Sequence, residues 1–260
     1  MNKIKADLHN HLRTSSRNYQ NDFNKTIDIT SSRLGPGGVI GLINFSDKRY
    51  ESFIDLNGYE RVFIGENKNG IYIPEKNVLV IKGQEVPTKL GHVLVLGLEK
   101  DVYIKENRSL IDTINESLDN GGIVVSDHPY YAHGIGNYLE SNPKILENID
   151  AIEVHNGEAA LGIPKTPLPY GSNKKAQLFY DRIKPDFPHL GALSSSDGHS
   201  LYELGRSWTE IDNLNLENKT KFTSSLRNSI RNTNNLSERC NKNSIIGAID
   251  HITDLIIYNI

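Results

Sequence analysis

The sequence predicts a single-domain α/β fold built on a parallel sheet, with its chemistry at one end of that sheet. Three observations carry this expectation. Short apolar runs alternate with segments of helical length and spacing, the pattern of strand–helix–strand units. The 260 residues suffice for one large core and match the usual size of a single α/β barrel. Histidines and aspartates recur just after the apolar runs, at the strand C-terminal ends where barrels place their reactive groups.

In order along the chain, Ile4, Ala6 and Leu8 mark an opening buried strand, and Arg13 to Gln20 is polar and loop-like. A helix is predicted over Phe23 to Leu34, ended by Gly35-Pro36-Gly37-Gly38. The continuous apolar run Val39 to Phe45 suits a buried parallel strand, and Asp47 to Leu56 a helix. Strands are predicted next over Val62 to Ile64, Ile71 to Ile73 and Val78 to Lys82, separated by Gly and Asn turns, and then over His92 to Leu98. Leu110, Ile114 and Leu118 recur at helical spacing, closed by Asn120-Gly121-Gly122. The alternation continues with a strand at Ile123 to Val125 running out at His128, a short helix at Pro143 to Asn148, and a strand at Ala151 to Val154 running out at His155. A helix over Lys174 to Ile183 precedes a strand at Leu190 to Leu193 that leads to Asp197. Leu216 to Asn232 is predicted helical, and Ser244 to Tyr258 is ambiguous between strand and helix. No internal repeat or linker marks a second domain; residues 236–260 read as a C-terminal extension.

The densest chemistry lies in Asp7-Leu8-His9-Asn10-His11. Alternate strand residues share a face, so two imidazoles with a carboxylate beside them form half of a metal cage. Chance surface histidines are the bland alternative. A mixed imidazole and carboxylate shell suits Mn²⁺, Fe²⁺ or Zn²⁺. Asp197-Gly198-His199 comes after a strand and the small residues Ser194 to Ser196, which permit close backbone approach; a plain Ser-Asp-Gly turn would leave His199 unexplained.

With these stand Gly83-Gln84-Glu85-Val86, Gly91-His92-Val93, Ser126-Asp127-His128-Pro129, Ile152-Glu153-Val154-His155-Asn156-Gly157 and Leu204-Gly205-Arg206-Ser207-Trp208-Thr209. In this order, over most of its length, the chain resembles the PHP (polymerase and histidinol phosphatase) family of metal-dependent phosphoesterases. The resemblance implies a distorted seven-stranded (β/α) TIM-like barrel. It implies two divalent cations, one held by His9, His11, Glu85 and Asp197, the other by Glu85, His128 and His92, with Glu85 bridging. Two departures stand out. Asn44-Phe45-Ser46 replaces the family's T-D-H, and Ser15, Ser16 and Arg17 replace a ligand usually found after the first motif. Both belong to the family's third metal site, which is therefore expected to be lost, leaving His199 without its cation and available to protonate a leaving oxygen or bind phosphate.

Of the remaining residues, His133 is expected to reach substrate and Asn156 to be a polar pocket residue. His155 either lines the pocket or packs. Arg206 either clamps a phosphate with its planar fork or forms a surface salt bridge. His189 and His251 are expected to be ordinary histidines.

The expected activity is hydrolysis of a small phosphorylated metabolite or nucleotide through a metal-activated hydroxide. A net charge of −3 gives no global field for long nucleic acid, so an exonuclease-like role is not favoured. An amidohydrolase-type centre (His9, His11, His128, His155 and Asp197) and a degenerate binding domain are the other readings. Glu85 separates the first of these, because amidohydrolases usually bridge with lysine. The basic stretch Lys219 to Lys242, with Lys221, Arg227, Arg231 and Arg239, reads as a solvated helix face. A single cysteine, Cys240, excludes an internal disulfide framework, and no signal-peptide core or membrane-length apolar run is present, which favours the cytoplasm.

Overall fold

The computed structural model describes residues 3–11, 19–44, 49–55, 58–161, 171–216, 218–233, 239–240, 245–247 and 249. Strands β1 (Lys3–Asp7), β2 (Gly38–Asn44), β5 (Val78–Pro87), β6 (His92–Leu96), β7 (Ile123–Ser126), β8 (Ala151–Asn156) and β9 (Gly191–Ser195) make seven staves of a nearly closed barrel. β10 (Trp208–Asp212) pairs antiparallel with β1 on its outer edge, and β11 (Arg239–Cys240) pairs with β10. Closure comes from β9 meeting β10 and the end of β1. Ser194 N donates to Thr209 Oγ1 at 2.7 Å, and His11 N donates to Gly198 O at 2.7 Å.

One apolar cluster draws side chains from all of these strands except β11, among them Ala6, Val39, Ile81, Leu94, Val125, Ala151, Leu193 and Ile211, and so fills the interior. Helix α7 (Phe222–Arg231) stoppers it with Phe222, Leu226 and Ile230. Two further clusters seal the outside. One packs α1 (Tyr19–Leu34) and α2 (Arg49–Asp55) against β2, β5 and the hairpin of β3 (Val62–Ile64) and β4 (Gly70–Ile73). The other packs α3 (Leu110–Asp119), α4 (Gly136–Ser141) and α6 (Ser172–Ile183) against β6 to β9. Helix α3 starts where Ser109 caps it, accepting from Asp112 N. No helix among the described residues is long and apolar enough to cross a membrane.

The sheet is mixed rather than parallel. β5 and β6 are joined by only residues 88–91, too few for a crossover, so β6 runs antiparallel to both β5 and β7. This reversal brings His92, at the start of β6, to the same barrel end as the strand C-termini. β5 also runs past Lys82 through Glu85, which is thus a strand residue and not part of a following turn. β10 shows little apolar alternation in sequence and is not foreseen by it. The basic residues of α7 are partly solvated and also paired: Arg231 Nε and Arg227 Nε lie 2.7 and 3.5 Å from Oδ1 of the buried Asp150 just before β8. Phe45, Ser15, Ser16, Arg17 and His251 lie outside the described residues, as does most of Ser244 to Tyr258, of which 245–247 and 249 are helical.

The site end depends on close backbone approach. A Cβ on Gly41 would lie 2.1 Å from the Leu8 carbonyl oxygen, so only glycine lets the chain leaving β1 run along β2. Gly41→Ala is expected to destabilise the fold by about 1–3 kcal/mol, because the clash is with backbone that has no rotamer to yield. Thermal unfolding reads this directly; an unchanged midpoint would refute the contact.

Candidate metal centre

β1 loses regular pairing after Asp7, and Leu8 to His11 continue extended across the barrel mouth. There His9 and His11 face each other with their Nε2 atoms 3.1 Å apart. In β5 successive side chains take opposite faces. Gln84 turns outward and pins the backbone of Ile104 through both its amide atoms. Glu85 turns inward and is met on both oxygens: His11 Nε2 is 3.0 Å from Oε2, while His128 Nε2 and His92 Nδ1 are 3.0 and 2.5 Å from Oε1. Burial raises the Glu85 carboxyl, but the hydrogen bonds from His11, His128 and His92 outweigh it and hold the group well below its ordinary range. Asp197 Oδ1 lies 3.4 Å from His9 Nε2 and 3.6 Å from His11 Nε2. The structure therefore brings together His9, His11, Glu85, His92, His128 and Asp197.

Two of these sit on left-handed backbone, His128 at φ 20° and Asp197 at φ 49°. Such conformations are unfavourable for non-glycine residues and persist where surrounding contacts impose them. Here they turn the side chains inward just as the chain leaves β7 and β9.

Ligand-capable atoms within 4.8 Å of one another form three groups: His9, His11 and Asp197; His9, Glu85, Asp127 and His128; and Glu158, Asp197 and His199. The donor chemistry fits divalent cations. Asp127 is fully buried, neither of its oxygens accepts a hydrogen bond among the described residues, and burial pushes its carboxyl up to about 7. A buried carboxylate without hydrogen-bond donors is costly unless a cation neutralises it. His128 is raised to about 10: burial opposes its charge, but Asp127 and Glu85 more than compensate. The anionic field that would protonate this imidazole is the one that would hold a metal ion.

Several expectations change. Asp7 is no ligand: Ser196 N donates to its Oδ1 at 2.9 Å and Gly205 N to its Oδ2 at 2.7 Å, so it ties two loops together, and burial raises it to about 6. His155 does not line the cavity. The β8–β9 register slips between Glu153 and His155, a bulge that turns His155 toward Asn173 of α6, 3.2 Å away, and turns Asn156 inward. Asn156 is fully buried and donates to Glu153 Oε2 at 3.0 Å and Asp197 Oδ2 at 2.9 Å, so it positions these two carboxylates instead of forming the pocket wall. Arg206 is not brought to the cavity; its Nε donates to Tyr202 O. His189 lies against the carbonyls of Leu146 and Ile149, far from this end. The cavity, about 210 Å³, has Glu85, His128 and Asp197 in its lining, with His92 and His133 stacked at 4.9 Å on one side. Tyr131 and Glu158, which sequence reasoning passed over, also line it. His199 lies in a group with Glu158 and Asp197.

Asp127 and Glu153 are further residues missed, and Glu153 has the more defined partners. It is buried, its Oε1 is 3.1 Å from His9 Nδ1, and its Oε2 accepts from His128 N at 2.6 Å. A carboxylate on Nδ1 fixes the tautomer that leaves Nε2 free to ligate. The signal in the sequence was a charged residue in the otherwise apolar run Ala151 to Val154, since unpaired charge is seldom buried. Glu153→Gln is expected to weaken metal binding about 10- to 100-fold with secondary structure unchanged. Competition against a chromophoric chelator measures this; equal affinities would reduce Glu153 to a packing role.

No protein-family model matches the chain, and no curated protein matches it in sequence. Solved structures do match. PsfC from Pseudomonas syringae superposes at a TM-score of 0.61 with 13% identity over 98% of both chains. The lesion-specific endonuclease PfuEndoQ from Pyrococcus furiosus superposes at 0.59 with 14% identity, over 92% of this chain and 57% of that one. A two-domain protein from Bacteroides vulgatus containing a predicted PHP-like metal-dependent phosphoesterase gives 0.49 at 14% identity, over 88% and 64%. The chain spans little more than half the length of the endonuclease. The first two likenesses show a shared fold.

Proposed function

We propose that the chain is a metal-dependent phosphoesterase acting on a small phosphorylated metabolite or nucleotide. The observation that carries this reading is Glu85, whose two oxygens face different histidines, so that one carboxylate can serve two cation positions. Charge supports bound cations: Glu85, Asp127, Glu153 and Asp197 are buried carboxylates gathered around these imidazoles, and buried carboxylates call for neutralising positive charge. Cations bound there would polarise phosphoryl oxygens and lower the pKa of water to near neutrality. His9, His11, Glu85 and Asp197 would hold one, and Glu85 and His128, with Asp127 or His92, would hold the other. Mn²⁺, Fe²⁺ and Zn²⁺ suit this donor set.

The protein groups around them bind and orient the substrate. Tyr131, whose phenol is raised to about 12 by burial and the charges of Glu158 and Asp197, is a hydrogen-bond donor for a substrate oxygen. His133 bounds the cavity beside His92. His199 supplies a proton to the leaving oxygen. An amidohydrolase-type centre is less well supported, since it calls for His155 as a ligand and a lysine bridge, and the lining contains neither. Action on nucleic acid is the second reading. The fold likeness to a lesion-specific endonuclease favours it, while the small cavity and the net charge of −3 favour a small substrate.

The deciding experiment is an assay of the metal-loaded protein against phosphomonoesters, phosphodiesters, oligonucleotides and amides. Turnover confined to amides, or none with any, would overturn the reading. Glu85→Gln is expected to abolish turnover, at least 10³-fold, with the fold intact, because an amide lacks the charge to serve two cations. Near-native rates would remove Glu85 from the mechanism. Plasma mass spectrometry after gel filtration in chelator-treated buffer is expected to find two tightly held metals per chain.

A further inference from the structure

We propose that Glu203 is a positioning residue for His199, and that the segment 245–247 takes part in the site by seating Glu203 through Gly247. The inference rests on the phosphoesterase reading above, in which His199 gives a proton to the leaving oxygen. It adds two residues that lie outside every motif named so far.

Glu203 lies four residues beyond His199 and is 5% exposed. A single oxygen, Oε2, accepts from His199 N at 2.9 Å, Ser200 N at 3.0 Å and Ser200 Oγ at 3.2 Å. A buried carboxylate is costly unless donors surround it, and these three do so. The turn itself has its own backbone bond, since Glu203 N donates to Ser200 O at 3.2 Å. The side chain therefore acts on the residues before the turn, and the first of them is His199.

The other contacts of His199 orient its ring. Nδ1 lies 3.0 Å from Asp197 O, and a carbonyl oxygen can only accept, so Nδ1 carries a proton and donates it there. That makes Nε2 the nitrogen that exchanges a proton with substrate. The ring lines the cavity and stacks on His11 at 4.7 Å and 19°. On the near side, His11 N donates to Gly198 O at 2.7 Å. The backbone around His199 is thus gripped by the extension of β1 before it and by Glu203 after it. With either grip lost, the proton on Nε2 is no longer held at the leaving oxygen, where a small displacement costs a proton transfer dearly.

Glu203 is covered in turn from farther along the chain. Gly247 is buried, and its carbonyl oxygen accepts from Ser200 Oγ at 3.4 Å across 47 residues. A Cβ on Gly247 would lie 2.2 Å from Glu203 Cγ and 3.0 Å from Ser200 Oγ. The helical backbone at 245–247 presses directly on the Glu203 side chain, and only glycine leaves that side chain where it is. Ile245 and Ile246 beside it are exposed, so Gly247 is the point at which this segment meets the loop.

The test uses the metal-loaded full chain with two esters. The alkoxide of glycerol 2-phosphate needs a proton to leave, whereas the phenolate of 4-nitrophenyl phosphate leaves without one. Glu203→Ala is expected to lower kcat for the alkyl ester about tenfold more than for the aryl ester, with metal content as in the wild type. Glu203→Gln keeps an oxygen acceptor at the same reach and is expected to restore most of the difference. Gly247→Ala removes no hydrogen-bonding group and by itself favours a helix, yet is expected to reproduce the selective loss by displacing Glu203. It decides the same question if Glu203→Ala does not fold. Independently of turnover, amide hydrogen exchange read by NMR is expected to quicken at His199 and Ser200 in Glu203→Ala. Equal losses on the two esters, unchanged exchange at His199, or a wild type that turns over the aryl ester alone overturns the inference and leaves the phosphoesterase reading standing. A wild-type chain that turns over neither ester overturns both.

Discussion

Four carboxylates buried within reach of four imidazoles at one end of a barrel set the terms for the rest of this structure. Desolvating a single unpaired carboxylate is prohibitive, and like charges so close repel strongly where the dielectric is low. The arrangement persists only if positive charge enters with it. In the protein alone, the imidazoles of His9 and His128 carry that charge, both raised by the carboxylates around them against the effect of burial. With divalent ions, the imidazoles return to being neutral donors. The same residues thus suit two electrostatic states, and metal binding here would displace the protons that the imidazoles otherwise carry.

Residues of one chemical type are divided by environment into different tasks. Asp7 and Asp127 are both fully buried aspartates at strand ends. Asp7 accepts two backbone N–H groups and is a structural clasp. Asp127 accepts none among the described residues, an environment that a cation would stabilise. Glu85 and Glu153 differ in the same way. Glu85 meets ring nitrogens on the cavity side, and Glu153 meets the far nitrogen of His9 together with a backbone N–H. The clasps hold the ligands at spacings that a flexible loop would not keep, at the price of left-handed backbone at His128 and Asp197.

The buried Lys82 shows the same logic on the outer face of β5. Its Nζ donates to the carbonyls of Glu99, Lys100 and Val102 and pairs with Glu51, and its ammonium lies 4.2 Å from the centre of the Tyr103 ring. Three residues farther along, Glu85 emerges at the metal centre. A strand anchored in this way presents its carboxylate with little freedom to move.

The set of elements and most of the site's first partners were determined by the sequence itself. Apolar runs of strand length, helical spacing and Gly-rich stops locate β1, β2, β5 to β9, α1, α3 and α6 within a few residues, because those signals are local. His9, His11, Glu85, His128 and Asp197 stand beside those runs, so strand ends already collect them. The tertiary structure alone decided the consequences of strand pairing. The antiparallel turn of β6 puts His92 at the right end of the barrel. The bulge in β8 exchanges His155 for Asn156. Asp7 is claimed by two backbone amides brought to it from nearly 200 residues away. Glu153 and Asp127 join the cluster in the same way, beside residues distant in the chain. A carboxylate's task depends on which donors surround it, and donors that arrive from another strand leave no mark on its own local sequence.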